Sequence, residues 1–217
     1  YPGARCDVPS VEYSYSFSDE LQQEWNWSER FASQPEILSY LNHVATRFDL
    51  RKHYQFSTSV QACTFDENSG RWVVELDDGT KVRCKYLVMA TGGLSEPKPV
   101  ELDGMDEFTG ATISTSNWPR GGVELKGKRV AVIGTGSSGI QTITAIAPQV
   151  EKLYVLQRTP SFSVPAWNRP LTADELAEVK ADYPARREKA RSTASGFCID
   201  DHEVVAASLE PAAREAR

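Results

Sequence analysis

The sequence predicts an α/β protein in which an antiparallel β-meander precedes a strand–helix–strand unit of the dinucleotide-binding type. Three observations carry that prediction. Apolar residues recur at helical spacing over 34–48, short β-type segments alternate with turn signals over 55–90, and from Lys128 a buried strand runs directly into a GxGxxG turn and an apolar helix.

Taken in order, Ser33 with Glu36 three places on forms a capping box, after which Ile37, Leu38, Leu41, Val44, Ala45 and Phe48 share one face. A helix over 34–48 is expected. QFSTSVQACTF, RWVVEL and KVRCKYLVMAT are separated by ENSG and DDGT, so three antiparallel strands are expected, the last ending at ATGG. Residues 93–127 carry many Gly and Pro residues and little periodicity, the pattern of an irregular linker between two domains. From 128, KRVAVIG is a buried strand, SSGIQTITAIAPQV a helix and KLYVLQR a second strand. A further helix over 173–191 starts at Thr172, capped with Glu175. The chain opens at Tyr1 in a Gly-containing turn and ends at Arg217 in an Ala/Arg/Glu-rich stretch, as expected of a piece of a longer protein.

Composition narrows the partners. A net charge of -6 with no stripe of Lys and Arg argues against a nucleic-acid surface. No apolar run reaches the roughly 18 to 20 residues of a bilayer span, and YPGARCDVPS has no signal-like apolar stretch, so a cytoplasmic location and no membrane partner are expected. Cys6, Cys63, Cys84 and Cys198 are scattered, with no CxxC pair and no His at ligand spacing. Four free thiols and no metal site are expected.

The chemistry concentrates after the buried strand. Gly134 permits the tight turn, Gly136 lets backbone approach a pyrophosphate, and Gly139 lets helix and strand pack closely, while Thr135, Ser137, Ser138, Ile140 and Gln141 complete the turn and the helix start. Free N–H groups at that helix N-terminus attract anionic phosphate. An NAD site would place a carboxylate at the end of the second strand, but here the strand ends Gln157, Arg158, Thr159. Arg158 would pair with a 2′-phosphate and the Thr159 hydroxyl could add a bond, which favours NADP.

YPGARCD, EYSYSFS, QEWNW, SQPEIL, ATGGLS, FTGATISTSNWP, VIGTGSSGIQ and LQRTP, in this order, resemble the flavin-dependent Baeyer–Villiger monooxygenases, above all the phenylacetone monooxygenase branch. The resemblance covers residues 1 to about 190. It implies a Rossmann-like NADP-binding domain joined to an incomplete FAD-binding domain: 1–92 as part of the FAD domain without its N-terminal GxGxxG, 93–127 as the interdomain linker, and 128–217 as an incomplete NADP domain with a helical insertion. It also implies FAD and NADP as cofactors, a small ketone and O2 as substrates, and an ester or lactone as product.

Carried over residue by residue, the resemblance places Arg5, Cys6 and Asp7 in the loop between flavin and nicotinamide, with Asp7 as the catalytic candidate. It makes Tyr13 a flavin contact and Val60 a backbone contact to the FAD adenine, and it makes Gly134, Thr135, Gly136, Ser137, Ser138, Gly139, Ile140 and Gln141, with Arg158 and Thr159, the NADP-binding residues. The linker motif fits the family pattern FxGxxxHxxxWP at Phe108, Gly110, Trp118 and Pro119, but Ser114 stands where that pattern has His. Ser is shorter and does not titrate near neutral pH. Two other readings stay open. One is an N- or S-oxygenating flavin monooxygenase, against which Trp118–Pro119 weighs. The other is an NADP-binding fragment without catalysis, since the FAD glycine motif is missing.

Overall fold

The computed structural model describes residues 1–94, 96–97, 100–160 and 163–198. Contacts divide the chain into two compact units, one of Asn42–Glu124 with Tyr1, the other of Pro2–Leu41 joined to the chain from Leu125 onward.

The first unit is built on the meander. β1 (Val60–Asp66), β2 (Arg71–Leu76) and β3 (Lys81–Cys84) pair antiparallel in the order β1-β2-β3. Phe65 faces Trp72 across β1 and β2, their ring centroids 5.3 Å apart edge to face. The third strand stops at Cys84, short of the expected ATGG. Cys84 pairs with Trp72, the second residue of β2, so only Arg71 is left for the next residue and the chain from Tyr86 on has run off the end of its partner. β-type residues alone do not make a strand without a ladder to join.

In the second unit, a 3-10 turn (Ser10–Tyr13) leads to α1 (Asp19–Glu24), which Ser18 caps by accepting from the Leu21 N–H. α2 (Gln34–Arg47) begins here and runs past Leu41 into the first unit. Its expected capping box does not form: the Glu36 carboxylate instead accepts from the N–H and hydroxyl of Ser28, both at 2.7 Å. β4 (Arg129–Ile133), α3 (Ser137–Ile146) and β5 (Lys152–Leu156) form the strand–helix–strand unit, with β4 and β5 parallel and Arg129 opposite Lys152. α3 ends two residues before Pro148, which has no N–H to continue it.

The helix expected over 173–191 is two helices, α4 (Ala173–Ala181) and α5 (Tyr183–Ser192). Pro184, in the first turn of α5, cannot donate to the preceding turn, so the chain breaks at Asp182 and restarts. The capping box of Thr172 and Glu175 is present as expected.

The core of this unit is aromatic. Trp27 and Tyr40 are buried with ring centroids 5.1 Å apart, and Leu21, Ala32 and Ile146 are buried too. Residues 168–171 return to residues 28–31: the Arg30 N–H donates to the Arg169 carbonyl at 2.9 Å and the Leu171 N–H to the Ser28 carbonyl at 3.0 Å. α5 then docks through Arg186, which donates to the buried Glu12 carboxylate at 2.9 Å, and through Tyr183, whose hydroxyl meets that of Ser14 at 3.2 Å. These long-range bonds tie Pro2–Leu41 to the chain from Leu125 onward. The four cysteines are free, as expected.

Candidate cofactor site

The Gly-rich turn has the shape its sequence requires. Gly134 adopts φ +100°, a conformation only glycine takes without strain, and its N–H donates to the Leu156 carbonyl at 2.8 Å, fixing the turn between the two strand ends. A Cβ on Gly139 would come under 3.0 Å of the Gly134 carbonyl, so only glycine lets α3 start this close to β4. Gly136 differs. It sits at the N-cap of α3 in extended conformation, and a Cβ there would meet nothing within 4 Å. The space over Gly136 is open, and the first-turn N–H groups of a ten-residue helix point to it.

Those features fit the pyrophosphate of a dinucleotide. Gln157, at the end of β5, donates to the Thr135 hydroxyl at 2.7 Å and ties the second strand to the turn. Arg158 and Thr159 follow it and are exposed, so a guanidinium and a hydroxyl face solvent at the strand end.

The Arg5–Cys6–Asp7 loop belongs to the same unit. Its base is held by strand-like bonds, Cys6 N–H to the Ala32 carbonyl at 2.9 Å and Gln34 N–H to the Ala4 carbonyl at 2.8 Å. Ser10 organises the neighbouring chain, its hydroxyl bonding to Glu29 and Arg30 carbonyls and accepting from the Ala32 N–H. The Arg5 guanidinium donates to the Phe31 carbonyl at 3.1 Å and lies 3.6 Å from Glu29. Asn168 braces both, donating to Glu29 at 2.6 Å and accepting from the Phe31 N–H at 2.9 Å. Cys6 is buried, and that burial pushes its thiol up from the ordinary value. Burial, and then the Asp7 carboxylate beside it, push the Tyr13 hydroxyl up as well. Asp7 itself is exposed.

A family model described as pyridine nucleotide-disulphide oxidoreductase matches residues 10–209. The chain belongs to that family. Among curated relatives it is 41% identical over 203 residues to a 2-oxo-Delta(3)-4,5,5-trimethylcyclopentenylacetyl-CoA monooxygenase of Pseudomonas putida, covering 91% of this chain and 37% of the relative. It is 40% identical over 215 residues to a Baeyer–Villiger monooxygenase of Pseudooceanicola batsensis, covering 99% of this chain and 39% of that protein. Among solved structures it superposes on an oxidized steroid monooxygenase bound to NADP with a TM-score of 0.89 at 51% identity, covering 100% of this chain and 41% of the other. The chain thus spans about two-fifths of the length of these relatives. The resemblance to Baeyer–Villiger monooxygenases is borne out.

The remaining family positions lie in the first unit. Val60 opens β1 and is exposed. In the linker motif the Phe108 ring folds back so closely that a Cβ on Gly110 would strike it. Ser114 caps a single 3-10 turn (Thr115–Asn117), accepting from the Ser116 N–H at 3.3 Å and meeting its hydroxyl at 2.7 Å. Trp118 is half-buried, and the Pro119 carbonyl accepts from Gly122 at 2.9 Å.

Gln157 was visible in the sequence as a strand end but not as the partner of Thr135. Asn168 and Glu29 gave no sequence signal, because their bond spans 139 positions.

Proposed function

We propose that the full-length protein is an FAD- and NADPH-dependent monooxygenase that inserts one oxygen atom of O2 beside a small ketone's carbonyl to give an ester or lactone. The observation that carries this reading is the cradle of Gly134, Gly136 and Gly139 with Arg158 at the end of β5, in a chain related throughout to monooxygenases. In this reading residues 1–92 contribute to an FAD domain, 93–127 link it, and 128–217 form the NADP domain. The location is cytoplasmic, and neither nucleic acid nor membrane is a partner.

The N–H groups at the start of α3 hold the NADP pyrophosphate, over a Gly136 with no side chain in the way. Arg158 and Thr159 take the 2′-phosphate, the guanidinium by charge-assisted bonds. Bound FAD supplies the redox chemistry and activation of O2. Arg5, Cys6 and Asp7 form the loop between the cofactors, Asp7 placing a carboxylate beside Tyr13. Tyr13 and Val60 serve FAD, while Phe108, Gly110, Ser114, Trp118 and Pro119 form the linker motif.

The test is to purify the full-length protein, record its flavin absorbance near 450 nm, and assay cyclic and linear ketones with NADPH under air, with ester detected by mass spectrometry. A yellow protein giving ester with NADPH and far less with NADH is the expected result. NADP binding without bound flavin or product would favour the non-catalytic reading, and oxidation of amines or sulfides alone would favour the N- or S-oxygenating one.

A further inference from the structure

The cradle helix does something besides end at the phosphate turn. Gln141 lies one turn into α3 and two residues beyond Gly139, so the two positions point about 200° apart around the axis. Gly139 faces β4, and Gln141 faces away from it, toward the Arg5 loop. There its side-chain amide makes two bonds to one residue's backbone: Oε1 accepts from the Arg5 N–H at 3.4 Å and Nε2 donates to the Arg5 carbonyl at 3.3 Å. This is how a neighbouring strand would hold Arg5, supplied by a side chain.

Two residues earlier the loop backbone lies directly on the same helix. Gly3 adopts φ +76°, and a Cβ there would come under 3.0 Å of both the Gln141 carbonyl and the Ala145 Cβ. The loop is therefore seated on α3 by close approach at Gly3 and by a paired bond at Arg5. On its other side it is held by Ala32, Phe31 and Glu29.

We infer that Gln141 is a positioning residue that couples the cradle helix to the Arg5–Cys6–Asp7 loop, rather than a contact to the nucleotide. The inference rests on the functional reading above. A nucleotide seated at the α3 N-terminus fixes that helix, and Gln141 passes the fixed position to the loop that lies between the two cofactors. Loss of the amide leaves the phosphate site intact and lets the loop drift. Misplacement by about 1 Å is enough to slow a reaction roughly a hundredfold.

The test uses Gln141→Met in the full-length protein, which keeps length and helix propensity but removes both bonds. Buried Cys6 serves as a reporter within the loop. Its alkylation rate, followed by peptide mass spectrometry in the protein without nucleotide, is expected to rise about tenfold, with Tm within about 2 °C of the parent. With NADPH, the rate of flavin reduction is expected to fall about tenfold or more while KM for NADPH stays within about twofold. Gln141→Glu keeps the acceptor for the Arg5 N–H and loses the donor, so it should fall between the two, and it provides both readouts if the Met variant does not fold. Unchanged Cys6 protection overturns the inference, as does a raised KM with unchanged reduction rate, which would make Gln141 a nucleotide contact. A parent protein that never oxidises NADPH overturns the functional reading instead and leaves the alkylation result standing.

Discussion

Two glycines of one turn divide the labour between fold and ligand. A methyl on Gly139 meets the Gly134 carbonyl, whereas a methyl on Gly136 meets empty space. Gly139→Ala should therefore destabilise the protein by about 1 to 3 kcal/mol, read as a lower Tm with or without nucleotide. Gly136→Ala should leave the nucleotide-free Tm almost unchanged and weaken NADP binding in titration calorimetry, because the methyl occupies only the space the phosphate needs. Arg158 lies two residues beyond β5 and is exposed, so Arg158→Ala should weaken NADPH use by roughly tenfold to a hundredfold and leave NADH kinetics nearly unaltered. Equal losses with both nucleotides would assign Arg158 to the fold. Ser114 gives its short turn a cap, a local task that the longer His of the family pattern would perform differently. Ser114→His should change the coupling of NADPH oxidation to ester by less than about tenfold, since linker positions tune domain motion more than bond making. Parallel measurement of NADPH consumption and product checks this.

At the scale of elements, the start of α4 is strongly polarised. Arg169 donates to the Glu175 carboxylate, and that pairing first, with the Thr172 N–H next, holds Glu175 down to about 2. A depressed carboxylate contributes in full above its ordinary value near 4.5 and loses its contribution as pH falls through about 2. The turn joining 168–171 to α4 should therefore stay ordered to about pH 4 and loosen progressively below it. Carbon-13 titration of the Glu175 carboxyl checks the window, and a midpoint near 4.5 would show that the pair does not form. How much of these elements was legible followed from how local their causes are. The Thr172 cap, the phosphate turn and the β4–α3–β5 order depend on neighbours within a few residues and were read directly. The early end of the third strand was not, because it depends on how long β2 is. The break at Asp182 was present in the sequence as Pro184, but the helical pattern on both sides hid it. Ser33 and Glu36 have the letters of a capping box, yet the Glu36 carboxylate takes Ser28 as its partner.

Over the whole molecule, the second unit is sewn together by contacts that no local pattern announces. The Glu12 side chain is only 4% exposed, and it faces Arg186 at 2.9 Å and Arg187 at 3.7 Å, so α5 is fastened to the 3-10 turn at Ser10–Tyr13 by a nearly buried carboxylate. Glu12→Ala would take the carboxylate from Arg186, while Arg187 keeps the Ser14 carbonyl, and should lower stability by roughly 3 to 5 kcal/mol, measured by urea unfolding. Because the carboxylate is shielded from solvent, the loss should persist at high salt, whereas a surface pair would be screened. The discontinuity of this unit also has a consequence during synthesis. Its opening forty residues leave the ribosome well before their partners, since the whole of 42–124 is translated in between. At roughly 5 to 20 residues per second the chain from 42 to 182 takes about 7 to 28 s, during which Trp27 and Tyr40 must wait without the helix that will close over Ser14. Slow codons placed before residue 125 should therefore lower the yield of native protein more than the same codons placed after residue 192.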